Sequence, residues 1–86
     1  MILPTIHSNG DRAETLREQY LNAHTKLGEA LDAVAACETN ARNFYPQGTE
    51  ATMQAREEHR QRILSLHKLR EESLELTQHC DQFCKT

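Results

Sequence analysis

Eighty-six residues with a formal net charge of −3 make one small domain, too short to bury an ample core unless it is stapled, metal-bound or oligomeric. A pI near 5.9 argues against the basic surface that binding to DNA or RNA polymers calls for, and no run approaches the roughly 18–20 apolar residues of a membrane span. Three cysteines, an odd number, and an opening M-I-L-P-T-I-H without a basic region or a long apolar run fit neither a disulfide framework nor a secretory signal. The chain is therefore expected in the cytoplasm, with reduced thiols.

Residues 1–10 read as an N-terminal arm in which Ile2, Leu3 and Ile6 would pack on the body of the protein, while Thr5, His7, Ser8 and Asn9 supply small polar groups. A first helix is expected over 11–38. Asn9-Gly10 forms the turn before it, and Asp11 with Glu14 reads as a capping box. Apolar or small residues follow at Ala13, Leu16, Tyr20, Ala23, Leu27, Ala30, Val34 and Cys37, alternating steps of three and four. Leu31 broadens the stripe as a bundle helix requires. Gly28 costs about 1 kcal/mol against Ala within a helix, which marks a close helix crossing or a ligand contact, or else a tolerated surface position.

Residues 39–48 form the connector, and a second helix is expected over 49–82, with Thr49 as its N-cap behind Gly48. Its seam runs Thr52, Ala55, His59, Arg62, Leu66, Leu69, Ser73, Leu76, Cys80 and Phe83, with Ile63 and Leu74 alongside. The later half is apolar, whereas the first half carries Ala, His and Arg where a hairpin core favours Leu. A short connector between two long helices predicts an antiparallel αα-hairpin. A lone hairpin leaves much of each stripe wet, so the predicted architecture is all-α, a two-helix hairpin assembling into a homo-oligomeric bundle.

Chemistry is sparse. His79, Cys80 and Cys84 cluster near the C-terminus, but zinc asks for four ligands in tandem pairs, and small apolar packing by Cys80 is the preferred reading. No metal or cofactor is expected. Glu57, Glu58 and His59 are acid–base candidates with no partnered nucleophile, and no G-x-S-x-G, P-loop or H-E-x-x-H occurs, so the chain is read as non-enzymatic.

What remains is a constellation around the connector. Phe44 and Tyr45, half of the aromatic residues, sit in N-F-Y-P-Q-G beside Arg42, Asn43 and Gln47, and Arg56, His59, Arg60 and Arg62 follow within the next helix. Rings stack bases, amides read their edges, arginines neutralise phosphates, and a helix start favours anions. The competing reading is a solvated helix face with i,i+4 ion pairs and rings that merely cap the bundle. The arm lies at the opposite end of one hairpin, but an antiparallel dimer would bring it to the connector of the other chain. Candidate ligand-binding residues are thus His7, Asn9, Arg42, Phe44, Tyr45, Gln47, Arg56, His59 and Arg60.

I-H-S-N-G at 6–10, A-R-N-F-Y-P-Q-G at 41–48 and E-H-R-Q-R-I-L-S-L at 58–66 resemble a family of small phage and prophage proteins. Their pattern runs approximately I-H-x-N-G-T, then D-Y-Y-P-Q-G, then E-H. Asp11 stands where Thr is usual and Asn43-Phe44 where Asp-Tyr is usual, which puts any hydroxyl contact at position 44 in doubt while keeping a stacking face. The chain is similar to the group called sequestins, and that resemblance implies a phage protein acting in the host bacterial cytoplasm. It would sequester a small nucleotide immune signal, an ADP-ribose derivative or a cyclic nucleotide, without turning it over. The alternative is a helical interaction module that inhibits a host protein or serves phage assembly.

Overall fold

The computed structural model describes residues 1–37 and 39–85. Among them it contains two α-helices, α1 (Ala13–Ala35) and α2 (Thr49–Asp81), joined by a connector that holds two single 3-10 turns, Ala41–Asn43 and Tyr45–Gln47. The helices pack against each other as an antiparallel hairpin 60 × 21 × 16 Å in extent.

The arm leads into α1 through a turn closed by the Gly10 N–H on the His7 carbonyl at 3.1 Å. A Cβ at Gly10 would lie 2.9 Å from His7 Nε2, so the ring folds back over the glycine and explains why these two residues stand three apart. Helix α1 starts later than the capping box at Asp11 and Glu14 predicts. Arg12 is the N-cap, with no side-chain cap, and its carbonyl receives the Leu16 N–H at 3.1 Å. Glu14 is drawn elsewhere, since its Oε1 accepts the Lys85 backbone N–H at 3.2 Å. At the other end the predicted span 11–38 also shortens. Ala36 and Cys37 already turn away from the helix, and Glu38 falls outside the described residues.

The α1 seam packs largely as its period predicts: Ala13 and Leu31 are buried, Leu16, Tyr20, Ala23, Leu27, Ala30 and Val34 half-buried, and Cys37 exposed. In α2 the packed stripe departs from the predicted one. It runs through Thr52, Ala55, His59, Ile63, Leu66, Arg70, Ser73, Thr77 and Cys80, all buried or half-buried. Arg62 and Leu69, expected inside, face solvent, and Leu69 is 49% exposed. The cause lies across the hairpin. A Cβ at Gly28 would stand 3.2 Å from Arg70 Nε, so the missing side chain makes the notch that admits Arg70, and the stripe takes Arg70 there in place of Leu69 while Thr52, Ala55, His59, Leu66, Ser73 and Cys80 keep their predicted places. His24 reinforces the pairing by donating from Nδ1 to the Arg70 carbonyl at 3.0 Å. Gly28 is the position on α1 against which the Arg70 side chain lies.

The core is correspondingly thin. Among the described residues only Ala13, Leu31 and Cys80 are buried apolar side chains. Thr52 and Thr77, also buried, satisfy their hydroxyls on the carbonyls of Gly48 and Ser73 one turn back, at 3.5 and 2.7 Å. The open end of the hairpin is tied three times: Arg17 to Asp81 at 3.1 Å, Glu14 to Lys85, and His79 to the arm. His79 Nε2 lies 2.7 Å from the Pro4 carbonyl, which can only accept, so that nitrogen carries the proton. The Phe83 ring meets the imidazole edge-on at 5.2 Å. Ile2 and Leu3 stay exposed, at 95% and 43%, and only Ile6 is half-buried, contrary to the expectation that all three apolar arm residues pack.

Candidate functional site at the connector

The connector is shaped by Pro46 and Gly48. Each 3-10 turn closes on a backbone bond of 2.9 Å, Phe44 N–H to Ala41 and Gly48 N–H to Tyr45. Gly48 then takes φ 106° and ψ 163°, a region essentially restricted to glycine, and reverses the chain into α2. Gly48, rather than Thr49, is the N-cap of that helix, and no side chain caps it.

The two aromatic residues lie outside the core. Tyr45 is 67% exposed and Phe44 half-buried. Phe44 and Gln47 face Ala51, Gln54, Ala55 and Glu58 across a shallow open groove of about 230 Å³. The helical spacing of 51, 54, 55 and 58 puts these four on one face. None of these four is among the sequence-based ligand-binding candidates; the four-residue steps from Ala51 to Ala55 and from Gln54 to Glu58, just past the aromatic loop, are the signal that would have found them.

The arginines are less available than the sequence suggests. Arg60 is clamped by Glu57 through Nε at 3.0 Å and Nη2 at 2.7 Å, and Gln61 donates to the same carboxylate at 2.9 Å. These bonds, Arg60's first and Gln61's next, hold the Glu57 pKa down at about 2. The Glu57 carboxylate in turn raises the pKa of Arg60. Arg56 Nε donates to the Thr39 carbonyl at 3.3 Å, pinning the connector to α2. Arg42 is exposed and His59 half-buried on the helix seam. Neither is a wall of the groove, and nor are Arg56 and Arg60.

His7 and Asn9 lie at the other end. His7 lines a second groove of about 240 Å³ with Ser8, Asp11, Arg12, Phe83 and Lys85, whereas Asn9 is exposed outside it. One chain thus gathers Arg42, Phe44, Tyr45, Gln47, Arg56, His59 and Arg60 at its connector end and leaves His7 and Asn9 at the far end of a 60 Å rod.

The cysteine cluster is a packing feature. Cys80 is fully buried, burial raises its thiol pKa, and Cys84 Sγ donates to the Cys80 carbonyl at 3.4 Å. Among the described residues no three His, Cys, Asp or Glu side chains are gathered around a common point. No helix among them is long and apolar enough to cross a membrane. Comparison with models of protein families, with curated proteins and with solved structures finds no match to this chain.

Proposed function

We propose that the chain is a non-enzymatic binding protein that captures a small nucleotide-like ligand at its connector end. The observation that carries this reading is the connector itself. A thin-cored protein leaves Tyr45 67% exposed and lines the adjoining groove with the Phe44 ring and the amides of Gln47 and Gln54, the means by which a base is stacked and its edge hydrogen-bonded. Glu58 in the same groove would accept from an exocyclic amine of an adenine-like base. Arg42 and Arg56 flank the site, and Arg60 would meet a phosphate only by exchanging Glu57 for it. The resemblance to small phage proteins favours sequestration of an immune signal, an ADP-ribose derivative or a cyclic nucleotide, in the host cytoplasm.

Calorimetric titration of the folded protein with ADP-ribose, a cyclic ADP-ribose isomer and a cyclic dinucleotide tests the proposal. At least one should bind and be recovered intact. Since base–aromatic stacking is worth about 1–3 kcal/mol, Tyr45→Ala should weaken that ligand by roughly 5- to 150-fold. Silence across the three, or a cleaved ligand, refutes it. A second reading, a helical module for another protein, draws support from the exposed Leu21, Met53 and Leu64. A stoichiometric host protein retained by immobilised chain, without nucleotide binding, would favour that reading instead.

A further inference from the structure

A compact monomer of 9.9 kDa exposes about 5,200 Å² by the usual scaling of surface with mass. This chain exposes 6543 Å², leaving an excess of roughly 1,300 Å². A standard-size interface takes about 800 Å² from each partner. The excess is more than enough for that share of a dimer, and two of the exposed large apolar side chains, Leu69 and Phe83, stand on one flank of the packed seam of α2. Where the packed stripe takes Ile63 and Arg70 in place of the predicted Arg62 and Leu69, those two face outward, and Leu76 and Phe83 follow along the same flank. Leu69 is 49% and Phe83 50% exposed, while Leu76 is half-buried. Seven-residue spacing keeps Arg62, Leu69 and Leu76 on one face of α2, a stripe about 21 Å long at 1.5 Å per residue, and Phe83 follows in the turn just past the end of the helix at Asp81.

The stripe is complementary to its own reverse. Laid antiparallel on a copy and centred on Leu69, it sets Leu69 on Leu69, Leu76 on the stem of Arg62 and Phe83 on Ala55. Arg62 makes no ion pair among the described residues of its own chain, nor does Glu72, which lies one turn before Leu76. The same register brings Glu72 of one copy within reach of Arg62 of the other, so each unpaired charge meets its opposite. We propose that the hairpin pairs with a second copy of itself through this face of α2, antiparallel and two-fold symmetric, with the open end of each chain resting on the connector groove of the other.

That last element deepens, and rests on, the ligand reading of the connector. Phe83 lines the arm groove and Ala55 the connector groove, so their juxtaposition joins the two shallow grooves into one deeper site. His7, remote from Tyr45 within a chain, then approaches it from the partner. The pairing itself depends on no ligand.

Light scattering and sedimentation velocity at 10–100 µM (a range on the order of ordinary interface affinities) should give about 20 kDa, twice the 9.9 kDa chain. Arg62→Glu or Glu72→Arg alone should raise the dissociation constant at least tenfold with helicity kept, and the two together should restore it. Orientation is read by cross-linking in a Cys37→Ser, Cys84→Ser background, because Cys80 is buried. Chains carrying Arg62→Cys mixed with chains carrying Leu76→Cys should join under oxidation, whereas neither should join to itself. A folded monomer of 9.9 kDa at the highest concentration overturns the proposal, and so does self-joining of each variant, which would mean a parallel pair. A dimer with no nucleotide affinity upholds the interface and rejects the ligand reading alone.

Discussion

Replacing Gly48 by Ala isolates a backbone effect from a steric one. A Cβ added at this position meets nothing within 4 Å, yet φ is +106°, where an L side chain is strained by about 1–3 kcal/mol. Ala also loses less conformational freedom on folding than Gly, returning about 0.4–1 kcal/mol; with strain in the upper half of its range, as a region essentially restricted to glycine demands, the net loss is about 1–2.6 kcal/mol. An 86-residue chain has an unfolding entropy near 180 cal/mol/K at about 2.1 cal/mol/K per residue. One kcal/mol then moves Tm by about 5–6 °C, and Gly48→Ala should lower it by about 5–14 °C. The assay is a thermal melt followed by circular dichroism at one fixed chain concentration, because self-association makes Tm concentration-dependent. An unchanged or raised Tm would refute the left-handed geometry assigned to the connector, and with it the shape of the groove that Gly48 sets.

Two further outcomes follow from side-chain environments. The Glu57 carboxyl is held at about 2 in the folded chain by Arg60 and Gln61, against about 4.3 when unfolded. Its stabilising contribution is therefore complete above the unfolded value and is lost as pH falls through the folded one. Between about pH 4.5 and 2, wild-type stability in urea should drop more steeply than that of Glu57→Gln; parallel pH profiles would show the clamp absent in solution. Arg70 Nε is buried without a hydrogen-bond partner, and an unsatisfied buried donor costs about 1–3 kcal/mol. Arg70→Met keeps the unbranched stem over Gly28 and removes that donor, so Tm should rise by about 5 °C or more; a fall would mean that the guanidinium is satisfied in solution.

The hairpin is legible in the sequence because α1 repeats its apolar residues in unbroken steps of three and four, and Gly48 with Pro46 breaks the chain where it turns. The register of α2 is not legible from its own period. Leu69 and Leu76 satisfy a heptad, and what displaces Leu69 is a notch at Gly28, a complement on the other helix that no local pattern contains. For the site, the rings of the connector and their exposure follow from poor apolar surroundings in the sequence. The occupancy of Arg60 does not follow from counting cations, although Glu57 three residues earlier carries the information. Helix α1 begins later than its capping-box spacing indicates for a similar reason: Glu14 has that spacing but bonds to Lys85, far along the chain.

Two parallel rods in contact have one soft motion, a slide along their common axis, and a stripe of small and half-buried residues resists it weakly. The ties at the open end change that. Advancing α1 by one turn, about 5.4 Å, would break Arg17–Asp81, Glu14–Lys85 and the His79–Pro4 clasp together, and would lift Arg70 out of its notch. They act as a vernier: the chain termini, though most distant in sequence, fix the axial setting of the connector some 60 Å away.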